Sequence, residues 1–188
     1  RAHLQSEGEY ITMGVRERRD VRDWALWLLQ KYGEDHPVIL DGISMGAASV
    51  LMAAGLDLPK NVVGIIADCG FTSPREIFHS VMTSSIKLPT FLLWGADLCC
   101  RIMAGFSIDG ASTVEAIRDN RLPLLLLHGR ADDFVPCWMT EKCAAAATNC
   151  EKSVVLVEDA GHGLSFLVDR ERVYAALVEF LDKACPKS

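Results

Sequence analysis

The chain has 188 residues, half of them hydrophobic, and 25 acidic against 19 basic residues leave a net charge of −6. That length is enough for one domain with a substantial core, and no apolar run is long enough to span a membrane. The acidic balance, without a basic stripe interleaved with aromatic residues, excludes a surface built to track a phosphate backbone, so nucleic acid is not an expected partner.

After a polar start, Val15 to Tyr32 is predicted to be helical. Val21, Trp24, Ala25, Leu28 and Leu29 recur at helical spacing, while Arg18, Arg19, Arg22 and Asp23 lie largely off that stripe. Gly33 stops the helix, and Pro37 introduces Val38-Ile39-Leu40, an apolar run that suits a strand buried on both faces of a parallel sheet. Next comes Gly42-Ile43-Ser44-Met45-Gly46, a G-x-S-x-G pentapeptide ahead of a helix expected over Ala47 to Leu56. A serine displayed at a sharp strand-to-helix turn needs small neighbours, because a side chain at either flank would meet the facing backbone. The pentapeptide therefore reads as a nucleophile elbow.

Val62 to Ala67, Leu124 to Leu127 and Val154 to Val157 are three further predicted strands, and helices over Trp138 to Thr148 and Asp169 to Lys183 follow the last two. Strands alternating with helices of this length imply βαβ units and a parallel sheet with helices on both faces. Residues 71–122 break the rhythm, being too long for an ordinary connection. Their apolar residues, Phe78, Met82 and Trp94 among them, suggest two short helices split at Leu88-Pro89. The segment is either a lid or acyl-binding wall over the site, or a pair of surface helices packed on the sheet.

Seven cysteines, Cys69, Cys99, Cys100, Cys137, Cys143, Cys150 and Cys185, form no C-x-x-C pair and no Cys/His cluster at zinc-ligand spacing. Reduced structural thiols, a cytoplasmic setting and no metal are the expectation. Arg1 to Ser6 is neither a signal peptide nor a start methionine with a charged n-region, and any N-terminal signal or anchor is not visible in this sequence.

A serine hydroxyl is a weak nucleophile at neutral pH, so the elbow calls for a histidine base and a carboxylate to orient it. His162 lies between two glycines in Asp159-Ala160-Gly161-His162-Gly163, just beyond the fourth strand, where its loop can bend toward the serine. His3, His36, His79 and His128 are the rivals, His128 being read as ending its strand on backbone groups. For the acid, Asp132 follows the third strand; Asp133, Asp68 and Asp159 compete. Asp68 is read as stabilising loop backbone near the elbow. Active groups belong at the carboxyl ends of parallel strands, and three such ends carry these residues.

Taken together, these residues resemble the α/β-hydrolase superfamily, in its serine hydrolase and lipase-like branch of esterases, acyl-thioesterases and serine aminopeptidase-like enzymes. The segments that carry the resemblance are Arg1 to Gly14 (an R-x-H-x-x-S-x-G-x-Y-x-T-x-G pattern), Gly42 to Gly46, Asp68 to Ser73, His128 to Pro136 and Gly161-His162. The resemblance implies a mostly parallel sheet flanked by helices. Residues 1–188 would be the C-terminal portion of one such domain, with a helical lid-like insert at about 71–122.

The resemblance further implies ester, thioester or amide hydrolysis without a cofactor. Ser44, Asp132 and His162 would be the catalytic residues and the Met45 backbone N–H one oxyanion-hole donor, with Phe78, Met82 and Trp94 binding a small-molecule ester or thioester. A carboxylesterase or lipase-like activity is the leading expectation, beside a serine peptidase or a non-catalytic scaffold of the same fold. Two departures accompany it. Leu4 replaces the family's glycine, and the family's opening strands are absent from the sequence, including the loop that supplies a second oxyanion donor. An N-terminal segment or a partner chain is therefore expected to complete the sheet, since the nucleophile strand would otherwise be an exposed apolar edge. A well-formed sheet with that strand bare would count against completion.

Overall fold

The computed structural model describes residues 1–186. Four strands, β1 (Val38–Ile43), β2 (Val62–Asp68), β3 (Leu124–Gly129) and β4 (Lys152–Val157), form one sheet in the order β1-β2-β3-β4. Every pairing is parallel, with Ile43 opposite Asp68, Asp68 opposite Leu127 and Gly129 opposite Val157. The carboxyl ends of all four strands therefore finish along one rim.

Helices cover both faces: α1 (Glu17–Tyr32), α2 (Met45–Ala53), α6 (Trp138–Ala146) and α8 (Arg170–Ala184) are the main ones. The period of two in β3 sorts the core. Leu124 and Leu126 join Ala25 of α1, Val50 and Leu51 of α2 and Cys143 of α6 on one face. Leu125 and Leu127 join Val173 and Phe180 of α8 on the other. The α8 contact is close: a Cβ at Gly64 of β2 would lie 2.7 Å from Phe180 Cζ.

Residues between β2 and β3 form α3 (Pro74–Val81) with a π-helical turn over Met82–Ile86, then α4 (Leu92–Cys99) with a second π-helical turn over Cys100–Ala104. Leu88-Pro89 separates the two helical stretches, where the sequence places the split. Ser73 caps α3 by accepting from the Glu76 N–H at 3.1 Å. Lys87 and Gly105, at φ 56° and 63°, end the π-helical turns in the left-handed region. Two single-turn helices, α5 (Thr113–Ala116) and α7 (Ser165–Val168), are too short to show a hydrophobic period and were not expected.

Two expectations are corrected. First, β1 is not buried on both faces: Leu40 is buried, Val38 and Ile39 are half-buried, and Asp41 and Ile43 are exposed. It is an edge strand, so one side of each residue lacks a neighbour. β4, the other edge, likewise exposes Lys152 and Val154. Second, of the α1 stripe only Ala25 is fully buried, and Trp24 is 65% exposed. The helix packs on α2 on the β1 side of the sheet, and its apolar stripe is wider than the surface beneath it. The nucleophile strand β1 stands bare at one edge of the described sheet. Among the described residues no helix is long and apolar enough to cross a membrane.

Candidate active site

Ser44 sits between β1 and α2 with φ 57° and ψ −115°. A left-handed conformation costs a non-glycine residue about 1–3 kcal/mol, so surrounding contacts must hold it. They do: the Ser44 N–H donates to the Asp68 carbonyl at 2.8 Å, and the Ser44 carbonyl accepts from the Ala48 N–H at 3.0 Å. The glycines on either side are not equivalent. A Cβ at Gly42 would lie 2.3 Å from the Gly46 carbonyl carbon, whereas one at Gly46 would meet nothing within 4 Å. The steric requirement therefore holds for Gly42 alone, because the turn presses Gly42 onto the backbone of Gly46 and leaves the Cα of Gly46 facing open space.

The Ser44 side chain does not cap α2, and its Oγ lies 2.8 Å from His162 Nε2. His162 Nδ1 lies 2.7 Å from Asp132 Oδ2. A carboxylate only accepts, so Nδ1 carries the hydrogen, and the neutral ring offers its Nε2 lone pair to the serine O–H. Met45 is the first residue of α2, where an amide N–H has no intrahelical acceptor.

Asp132 and His162 meet because the loops after β3 and β4 are zipped together. The Arg130 N–H donates to Val157 O at 2.8 Å, and the Ala131 N–H to Ala160 O at 3.0 Å. Gly129 permits the approach, since a Cβ there would stand 2.1 Å from Ala160 O. Gly163, at φ 67°, turns the chain after His162.

Asp132 is buried, and burial alone would favour its neutral form. The hydrogen bonds from His128, His162 and the Val135 and Phe134 N–H groups outweigh burial and hold the carboxyl below the usual carboxylate range. The two amides reach Oδ1 at 2.8 and 2.9 Å.

The rivals fall elsewhere. Asp133 and Asp159 are exposed, as are His3, His36 and His79. Asp68 does not brace loop backbone with its side chain: Oδ1 accepts from Ser165 Oγ at 3.0 Å, and it is the Asp68 carbonyl that holds Ser44. Burial raises the Asp68 carboxyl above its ordinary value. His128 does bond a backbone carbonyl, that of Val135 at 2.8 Å, and also lies 3.2 Å from Asp132 Oδ2.

Phe78 is half-buried on α3, Met82 is half-buried where α3 passes into its π-helical turn, and Trp94 of α4 is 75% exposed beneath the Arg75 guanidinium. The root of the insert touches the elbow helix: Ile77, Val81 and Phe106 cluster with Met45 and Ala48. Two apolar neighbours were missed in the sequence. Phe134 packs edge-on against the His162 ring with centroids 5.1 Å apart, and Ile43 lies beside the His162 loop, 3.5 Å from where a Gly163 Cβ would stand. Both flank site residues in the chain, the one signal available for them.

Cys69, Asp132 and His162 place ligand atoms within 4.8 Å of one another. Burial, then the charge of Asp68, pushes the Cys69 thiol up to about 12. Asp132 already accepts on both oxygens, so a cation at these three residues would displace the hydrogen bond that orients His162.

A serine on a strained strand-to-helix turn, an acid beyond the next strand but one and a histidine beyond the last, all at one rim of a parallel sheet, define an α/β-hydrolase fold. The chain belongs to the prolyl oligopeptidase family, whose family model matches residues 7–188. It is 27% identical over 183 residues to the Bacillus subtilis protein YqkD, covering 97% of this chain and 60% of that protein. Among solved structures it is similar to the Pyrococcus furiosus esterase Pf2001, at 25% identity and a TM-score of 0.70, over 97% of this chain and 68% of that one. A puromycin-hydrolyzing peptidase of Mycobacterium tuberculosis shares the fold at 16% identity and a TM-score of 0.72, over 94% of this chain and 26% of that one.

Proposed function

We propose that this chain carries the catalytic centre of a serine hydrolase that cleaves a carboxylic ester or thioester through an acyl-enzyme. The observation that carries the proposal is the unbroken line of hydrogen bonds from Ser44 Oγ through His162 to Asp132, at 2.8 and 2.7 Å. In this reading His162 takes the Ser44 proton as Oγ attacks the substrate carbonyl, and Asp132 stabilises the imidazolium. His162 then returns the proton to the leaving alcohol or thiol, and water repeats the sequence on the acyl-enzyme. None of these steps draws on a metal or an organic cofactor.

The Met45 N–H supplies one oxyanion donor. A missing second donor costs about 2.7–4 kcal/mol of transition-state stabilisation, so efficient turnover needs one from another segment. We propose that such a segment, preceding the chain or in a partner, also pairs with β1. The support is the unblunted β1 edge and the span of the chain, which covers 60% of YqkD and 68% of Pf2001. A cytoplasmic setting, suggested by the irregular cysteine spacing, belongs to the same proposal.

The ester preference is supported by the likeness to Pf2001 and by the apolar neighbours of the histidine, Phe134 and Ile43; binding of the acyl group by Phe78, Met82 and Trp94 of the insert belongs to the same proposal. Peptidase activity is the second reading, favoured by the family to which the chain belongs. The hydrogen-bonded geometry of Ser44 and His162 argues against a scaffold that has lost its chemistry. The test is to label the full-length protein with a fluorophosphonate probe beside Ser44→Ala and His162→Ala. Labelling that depends on both residues is expected; a folded wild-type protein without it overturns the hydrolase reading. p-Nitrophenyl esters of increasing acyl length, set against peptide p-nitroanilides, then separate the substrate classes, and a rate indifferent to acyl length removes the insert from substrate binding.

A further inference from the structure

We infer that His128 is a positioning residue for Asp132 and that Thr140 sets the tautomer in which it acts. His128 is fully buried at the end of β3, in contact with no solvent. Its Nε2 lies 2.8 Å from the Val135 carbonyl oxygen and 3.2 Å from Asp132 Oδ2. A carbonyl oxygen can only accept, so Nε2 bears the hydrogen. The neutral ring then has a lone pair on Nδ1, and the Thr140 hydroxyl, itself buried and 2.6 Å away, donates to it. In that arrangement every polar side-chain atom of this buried pair has a partner.

The consequence reaches Asp132 by two routes. Val135 gives its N–H to Asp132 Oδ1 at 2.8 Å while its carbonyl is held by His128, so the ring braces the turn that presents the carboxylate. The same N–H edge faces Oδ2, the oxygen that receives the His162 Nδ1 hydrogen. Oδ2 thus lies between two imidazole N–H groups, and the one from His128 withdraws part of the charge with which Asp132 attracts the proton of His162. Asp132, Asp68, His162 and Cys69 are titratable groups whose fields meet in this pocket. The inference rests on the hydrolase reading for its effect on turnover, but the hydrogen bonds it describes exist without turnover.

The test uses the full-length protein with His128→Gln, His128→Leu, Thr140→Ser and Thr140→Val. A glutamine amide keeps an N–H for Val135 and Asp132 and an oxygen for Thr140; leucine keeps neither. Two readouts are needed. One is the pH profile of fluorophosphonate labelling at Ser44; the other is the low-field proton NMR signal of the His162–Asp132 hydrogen bond, recorded on unreacted protein. Loss of the His128 donor is expected to move the acid limb of the profile to higher pH by about half a unit, because an unopposed carboxylate holds the His162 proton more tightly. On the alkaline plateau of the profile labelling falls roughly tenfold, because the turn that presents the carboxylate has lost its brace. The low-field signal moves in His128→Leu and stays in His128→Gln.

Should the leucine variant fail to fold, Thr140→Val carries the test, with the same direction of change and Thr140→Ser as its control. An acid limb and a proton signal unmoved in folded His128→Leu or Thr140→Val overturn the inference. A wild-type protein that shows the proton signal but does not label overturns the hydrolase reading and leaves the NMR comparison to decide on His128.

Discussion

Asp68 and Asp132 lie at the ends of neighbouring strands, and burial acts on both carboxyls in the same sense. What separates them is the number of donors. Asp132 receives two amides and two imidazole edges and stays below its ordinary value, whereas Asp68 has one hydroxyl and is raised. The stability each contributes therefore has opposite pH dependence. The ionised form of Asp132 stabilises the fold fully above the unfolded value of about 4, and that contribution is lost as pH falls through its lower folded value. Ionising Asp68 costs stability; the cost is absent below the unfolded value and grows as pH rises through the raised one. Thermal unfolding should therefore show Asp68→Asn raising Tm at about pH 7 and leaving it unchanged at about pH 3. Asp132→Asn should lower Tm at neutral pH, by an amount that shrinks on acidification. Two variants with parallel profiles would contradict this assignment of donors.

At the scale of elements, the strand-to-helix junction at Ser44 shows how a motif mixes a steric requirement with a permissive position. Gly42 faces the Gly46 backbone at a distance no Cβ tolerates, while Gly46 has free space in its second helical position. Gly42→Ala should destabilise the protein by about 1–3 kcal/mol, the cost of forced overpacking, and remove fluorophosphonate labelling at Ser44. Gly46→Ala should be neutral or add up to about 1 kcal/mol, because alanine loses less backbone freedom in a helix. Urea unfolding of the two variants separates them. Equal losses would mean that space around Gly46 is closed by a segment beyond those described, such as one that completes the oxyanion hole.

At the scale of the molecule, the sheet is covered unevenly. α8 packs closely on one face, while α1 leaves Trp24 and Trp27 exposed and the edge strand β1 leaves Ile43 58% exposed. An open edge beside apolar surface promotes association between chains. Residues 1–188 on their own should self-associate with rising concentration in sedimentation experiments. Trp24→Gln with Trp27→Gln should reduce that association while leaving stability within about 0.5 kcal/mol, as expected for exposed positions. Association unchanged in the double variant would place the adhesive surface elsewhere.

The amino-acid sequence by itself determined the local features. Val38, Val62, Leu124 and Val154 each start or lie in an apolar run that became a strand, and Ser44, Asp132 and His162 stand where those strands end. Backbone sterics and hydrophobic period act over a few residues, so such features are legible in a linear text. The sequence also carried the split at Leu88-Pro89, but not the π-helical turns on either side of it or the four-residue α5 and α7. What only the tertiary structure decided depends on segments distant in the chain. The zipping of the Gly129 and Ala160 loops, the edge-on contact of Phe134 with His162, the exposure of Trp24 and the place of His128 behind Asp132 all belong to that class. A hydrophobic stripe records that a face can be buried, and a histidine that it can donate; which surface or which oxygen lies opposite is settled when the sheet brings the strand ends to one rim.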